Sequence, residues 1–163
     1  MLKTPGAARR APTRCAAAAV ASLLALVASL AHSAPADPTL DLKALSGHVV
    51  YLDFWASWCA PCRQSFPWMN KMQSEFGQDG FVIVAVNVDH SRPDAEQFLH
   101  EHSPVFRIVF DPDGTLAERF GVRDMPTSFL LDRDGRIHSE HEGFRLKDRD
   151  ALEQQIRSLL AAH

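Results

Sequence analysis

Val49-Val50-Tyr51-Leu52-Asp53-Phe54-Trp55-Ala56-Ser57-Trp58-Cys59-Ala60-Pro61-Cys62 decides the fold of this chain. Its opening, up to Trp55, is β-branched, aromatic and almost continuously apolar, the pattern of a central strand covered on both faces. Asp53 is the one charge in it. Just beyond lie Cys59 and Cys62, separated by Ala60-Pro61, with Cys59 placed where strand gives way to helix. Two cysteines at this spacing can close and reopen a disulfide within one helical turn.

The position of Cys59 carries chemical meaning. A thiol attacks only as thiolate, and a free cysteine, with a pKa of ~8.5, is mostly protonated near neutral pH. The unpaired N–H groups and the dipole at a helix N-terminus stabilise negative charge. Cys59 is therefore the expected nucleophile and Cys62, one turn further in, the shielded resolving thiol. Pro61 suits a first helical turn, where its missing N–H costs nothing.

Working downstream, Phe66, Met69, Met72 and Phe76 recur at helical intervals and predict a helix ending near Gly77, bent at Pro67. Residues 81–88 form a second apolar run, so strand-helix-strand order implies a parallel pair with a right-handed crossover. Residues 94–102 read as a short helix, 105–110 as a third strand, 111–114 as a turn and 116–120 as a helical turn closing at Gly121. Residues 127–132 and 136–142 flank Arg133-Asp134-Gly135, which is hairpin chemistry. Residues 147–162 carry Leu152, Ile156, Leu159 and Leu160 on one helical face. The order is an α/β arrangement: a central mixed sheet, parallel in its first half and closed by an antiparallel C-terminal hairpin, flanked by helices.

Working upstream, residues 34–47 are polar and read as an N-terminal arm, with the domain spanning 48–163. Residues 1–33 have the form of a signal peptide, with cleavage near 33–36. Lys3, Arg9, Arg10 and Arg14 precede an uncharged run of 16 residues, 16–31, that is short for a bilayer span and leads into small residues. An uncleaved anchor is the other reading, and both place the domain outside the cytoplasm, in a periplasm. Of 17 basic residues, 13 follow the leader, against 20 acids, for a charge of about −7. That balance disfavours nucleic acid as a partner. Of the 3 cysteines, only Cys59 and Cys62 lie beyond the leader. The loop they close is too short for a structural staple, which points to catalysis in an oxidising compartment.

Met125-Pro126-Thr127 forms the second candidate site, since a proline just before a buried strand is either a cis bond or an ordinary X-Pro turn. Taken together, residues 54–62, Pro67 five residues after Cys62, and Met125-Pro126-Thr127-Ser128-Phe129 resemble the thioredoxin superfamily. More narrowly they are similar to the exported TlpA/ResA-like thiol-disulfide oxidoreductases, over roughly residues 42–160. The resemblance implies a thioredoxin fold, a cis Pro126 beside the disulfide, and Met125 offering backbone groups to an extended substrate chain. It also implies that Asp53, six residues before Cys59, moves the proton of Cys62. A carboxylate buried in a strand should hold its proton more tightly than usual. The lysine that accompanies this aspartate in thioredoxins is replaced here by Ala85, and the N-terminal hairpin usual in the narrower family is cut short.

Trp58, Ala60, Pro61, Met125 and Thr127 are the candidate substrate contacts, although Trp55 and Trp58 read first as packing residues beside the dithiol. Asp111-Pro112-Asp113-Gly114 and Asp132-Arg133-Asp134-Gly135 lack the remaining ligands of a calcium loop and read as turns. His100/His102 and His138/His141 read as surface histidines. The expected activity is reduction of protein disulfides through a mixed disulfide on Cys59, with no cofactor beyond the Cys59–Cys62 pair. Apocytochromes c or copper-delivery proteins are candidate targets, and a membrane thiol reductant would act upstream. The rival is a metallochaperone holding Cu(I) on the same dithiol, since thiolates suit a soft ion.

Overall fold

The computed structural model describes residues 40–162. The leader expected at 1–33 and the first part of the arm, 34–39, lie outside the described residues. A five-stranded mixed sheet, in the order β3-β2-β1-β4-β5, forms the frame. The apolar run becomes β1 (Val49–Trp55), buried at every position. It pairs in parallel with β2 (Phe81–Asn87), which pairs in parallel with β3 (Arg107–Phe110). On its other side β1 pairs antiparallel with β4 (Thr127–Leu131), and β4 with β5 (Ile137–Glu142).

Strand alternation sends Val49, Tyr51, Asp53 and Trp55 to one face of β1 and Val50, Leu52 and Phe54 to the other. The first face is covered by α1 (Ala60–Phe76), α2 (Arg92–His102) and α4 (Arg149–Ala161), whose Phe66, Met69, Phe98 and Ile156 join Trp55 and both cysteines in one cluster. The second face packs on α3 (Thr115–Arg119) through Leu116 and Phe120. Around Trp55 the packing is aromatic, with ring centroids 4.9 Å from Phe66 and 4.7 Å from Phe98. Tilted and edge-on pairs of this kind add to the hydrophobic gain.

α1 keeps its expected end, running to Phe76 with Pro67 inside it and Gly77 as its C-cap, and Gly80, φ 89°, releases the chain into β2 as expected. The start of the third strand moves for a visible reason. β3 starts at Arg107, because the Val105 N–H is taken by the Asn70 side chain at 2.9 Å and Val105 itself is exposed. The 111–114 turn does more than reverse the chain. Buried Asp111 accepts from Thr115 Oγ1, Leu116 N–H and Ala117 N–H at 2.9–3.1 Å and so caps α3. Two of the four histidines are not simple surface groups. His102 stacks on Phe98 with ring centroids 4.0 Å apart, and half-buried His141 lies 3.2 Å from Gln155 of α4.

Candidate active site

The end of β1 delivers the chain to a turn, in which the Cys59 N–H donates to the Ala56 carbonyl at 3.1 Å, and α1 begins at Ala60. Cys59 is the N-cap of α1: its Sγ accepts the Cys62 N–H at 3.2 Å, where a cap oxygen ordinarily would. The two sulfurs form a disulfide with Cα atoms 5.3 Å apart. Access is unequal, since Cys59 is 3% exposed and Cys62 0%. What exposure the pair has belongs to Cys59.

Asp53 occupies the face of β1 that α1 covers. It is 1% exposed, and its Oδ2 has no hydrogen-bond partner among the described residues. Burial pushes its carboxyl well above the usual aspartate range. Its register partner across β4 is Ser128, whose Oγ accepts from the Tyr51 hydroxyl at 2.7 Å. Burial, then the Asp53 charge, holds the Tyr51 phenol above its ordinary value, against the Ser128 hydrogen bond. Ala85 is the register partner of Asp53 on β2, so no lysine stands there.

Met125–Pro126 is a cis peptide bond. β4 begins immediately after it, with Thr127 opposite Phe54 of β1, and half-buried Met125 packs against the cluster that holds both cysteines. The loop is fixed by the Thr127 hydroxyl donating to the Asp124 carbonyl, 2.8 Å, and by the Gly143 N–H donating to the Pro126 carbonyl, 2.7 Å. Of the remaining candidates, Ala60 is exposed, Pro61 half-buried, and Thr127 and Pro126 buried. Trp58 departs from its expectation as a packing residue. It is 70% exposed, because the turn that orients Cys59 inward points its neighbour outward. A groove of about 260 Å³ opens beside it, lined by Ser57, Arg63, Asp94, Gln97, Phe98 and Glu101.

One buried residue of the site escapes sequence reasoning. Asp89, 6% exposed and just past β2, accepts from the Ser57 N–H at 2.9 and 3.2 Å, the Ser57 hydroxyl at 3.1 Å and Asn87 Nδ2 at 2.8 Å. Arg63 of α1 closes the turn from the other side, donating to the Ser57 carbonyl at 2.9 Å. The only sequence signal is a polar Asn-x-Asp ending an apolar strand, which reads as an ordinary turn.

A capped, half-accessible disulfide, a buried carboxyl and a cis proline on the adjoining strand define a thiol-disulfide exchange site. The sequence matches the family model for Redoxin over residues 24–156, and the chain belongs to that family. It is 31% identical over 120 residues to the thiol-disulfide oxidoreductase ResA of Bacillus thuringiensis subsp. konkukian, covering 74% of this chain and 68% of that one. Among solved structures it resembles a chain assigned as the thiol:disulfide interchange protein DsbE of Chlorobium tepidum, with 52% identity, a TM-score of 0.73, and 75% and 86% of the two chains covered. It also resembles the exposed lipoprotein thioredoxin Etrx1 of Streptococcus pneumoniae, with 32% identity, a TM-score of 0.63, and 72% and 90% covered. The protein is a thiol-disulfide oxidoreductase of thioredoxin fold.

Among the described residues no group of three or more His, Cys, Asp or Glu converges. No helix among them is long and apolar enough to cross a membrane.

Proposed function

We propose that the protein is an exported, periplasmic reductase of protein disulfides, with residues 1–33 as its signal peptide, 34–47 as an arm and 48–163 as the working domain. The observation that supports this most is the placement of Cys59 as the N-cap of α1, its Sγ accepting the Cys62 N–H, with Cys62 fully buried one turn further in. In the reduced protein the Cys59 thiolate, favoured by the helix N-terminus, attacks one sulfur of a partner's disulfide. A mixed disulfide forms and the partner's other sulfur leaves as a thiolate that takes up a proton. Cys62 loses its proton to Asp53, whose affinity for protons burial has raised, and attacks Cys59 Sγ. The partner's second sulfur is released, and the Cys59–Cys62 disulfide remains. The partner gains two electrons and two protons, which a membrane thiol reductant must restore in an oxidising periplasm.

Substrate lies in extended form along Met125-Pro126-Thr127, with Trp58, Ala60 and Pro61 forming the opposite wall. Apocytochromes c or copper-delivery proteins fit as targets, because each presents paired cysteines that must be reduced before metal or haem is loaded. Replacing Cys62 by Ser tests the cycle: the variant should accumulate mixed disulfides through Cys59, and the wild type should reduce insulin. A Cys62→Ser protein that traps nothing, beside a wild type inert towards insulin, overturns the reading in favour of metal binding. The direction rests on the potential of the couple, which should lie near the ~−270 mV of thioredoxin and far from the ~−120 mV of DsbA.

A further inference from the structure

The exchange cycle leaves Asp89 unused, although its carboxylate is more fully engaged than any other group near the dithiol. It accepts four contacts from Ser57 and Asn87, and its own N–H donates to Asn87 Oδ1 at 3.2 Å. Both flanking strands brace its position. The Val88 N–H donates to Trp55 O at 3.0 Å, and the Asp111 N–H donates to Asn87 O at 2.8 Å. All of this converges on Ser57, whose N–H and hydroxyl face Asp89 and whose carbonyl faces Arg63. One residue, Trp58, separates Ser57 from Cys59, so the reach of the chain keeps the carboxylate within roughly 14 Å of the nucleophilic sulfur.

We infer that Asp89 is a positioning residue that both fixes the Ser57-Trp58 turn and sets the redox balance, its buried negative charge keeping the Cys59–Cys62 couple reducing. A negative charge at that distance disfavours the Cys59 thiolate and leaves the disulfide untouched, so it destabilises the reduced protein relative to the oxidised one. A less stable dithiol gives up its electrons more readily, the opposite of the stabilised reduced state that makes a strong oxidant. The other charged groups around the turn are Arg63 on α1, which pairs with Glu101 at 3.6 Å, and Asp94 on α2. His90 follows Asp89 but turns its ring to the Pro112 carbonyl at 2.7 Å. Arg63 and Glu101 are about half exposed and Asp94 is exposed, so solvent screens them. Asp89 is not screened in this way. The inference rests on the dithiol reading proposed above.

The test is the equilibrium of each purified protein with glutathione, followed over pH, for the wild type, Asp89→Asn, Arg63→Met and Leu152→Ala. Asp89→Asn keeps the shape of the side chain and removes the charge. At neutral pH it should shift the equilibrium about three- to tenfold towards the reduced protein, tenfold being about 30 mV for a two-electron couple. The gap should close in acid, where Cys59 is a thiol in both proteins. Arg63→Met, an exposed change that leaves the core intact, should move the equilibrium the other way by a smaller factor. Leu152→Ala, a core change on α4, should lower the melting temperature and leave the equilibrium alone. Folded Asp89→Asn protein with the wild-type equilibrium at every pH overturns the inference, as does a shift that persists undiminished in acid. Should Asp89→Asn not fold, Ser57→Ala serves instead: it removes one donor from the carboxylate and keeps its charge, so the equilibrium should stay in place or move towards the oxidised protein, and a shift towards the reduced protein overturns the inference. A wild type that never reduces insulin sinks the underlying reading and is seen separately from these differences.

Discussion

Asp53 and Asp89 are buried to a similar degree at the same end of the sheet, yet their hydrogen bonding differs. Asp89 holds Ser57 and Asn87 through four contacts, and among the described residues Asp53 has an Oδ2 with none. The difference separates two uses of one side chain. A carboxylate surrounded by donors fixes geometry, because moving either side breaks charge-assisted hydrogen bonds. A carboxyl without donors stores proton affinity, because its charged form is the one that burial penalises. On the face of β1 that α1 covers the protein keeps a carboxyl with raised proton affinity, and behind Ser57 it keeps a clamp.

The largest effect expected of this contrast lies in how stability depends on pH at Asp53. Its folded carboxyl is raised above its unfolded value. Between the ordinary aspartate range, ~4, and the folded value, the native state binds a proton that the unfolded chain has lost. Stability is therefore fully present at low pH and falls as pH rises through that window. Asp53→Asn removes the dependence, so its stability advantage over the wild type should grow by up to about 1.4 kcal/mol per pH unit. Urea unfolding of the reduced proteins at several pH values measures this. A constant difference across the window would show that Asp53 has donors after all.

Next in size is the clamp. Asp89→Ala leaves the Ser57 N–H and the Asn87 amide without their acceptor in a buried place, which should cost about 2–3 kcal/mol. The same unfolding experiment reads it, and a loss below about 0.5 kcal/mol would put Asp89 with ordinary surface groups. Asp89→Asn should recover part of the loss, since its amide oxygen still accepts from the Ser57 N–H.

These two aspartates also mark where sequence reading succeeds. Asp53 is legible because it interrupts an apolar strand at a fixed offset from Cys59, and the central strand, the C-x-x-C helix start and the hairpin are carried by local patterns of the same kind. Asp89 is invisible because its meaning depends on Ser57, 32 positions away, reached only when β1 and β2 align in parallel. Trp58 failed for a related reason. Residue type suggested packing, but the turn anchored by that distant carboxylate sends the ring outward. The late start of β3 likewise follows from the Asn70 side chain reaching Val105 across 35 positions, a contact that no window of strand propensity contains.

A smaller effect is expected from the hydroxyl pair beside Asp53. Tyr51→Phe removes the donor to Ser128 and should cost about 1 kcal/mol. Because Ser128 is opposite Asp53 in register, the variant also shows whether the pair tempers that carboxyl. If it does not, the window over which wild-type stability falls with pH stays where it was, and Asp53 stands alone.

The smallest effect belongs to the Arg63–Glu101 ion pair on the rim of the groove. Its charges are 3.6 Å apart and about half exposed, so solvent and salt weaken their attraction and the side chains lose entropy in holding it. Glu101→Gln should change stability by less than about 0.5 kcal/mol. Arg63 keeps its hydrogen bond to the Ser57 carbonyl in that variant, so the turn should also stay in place, and Trp58 fluorescence should report an unchanged environment. A destabilisation comparable to Asp89→Ala would mean that the turn hangs from α1 and α2 above it as much as from β2 below. The contrast between a buried clamp and an exposed rim would then dissolve, whereas a near-neutral result leaves Asp89 as the group from which the Cys59 turn is suspended.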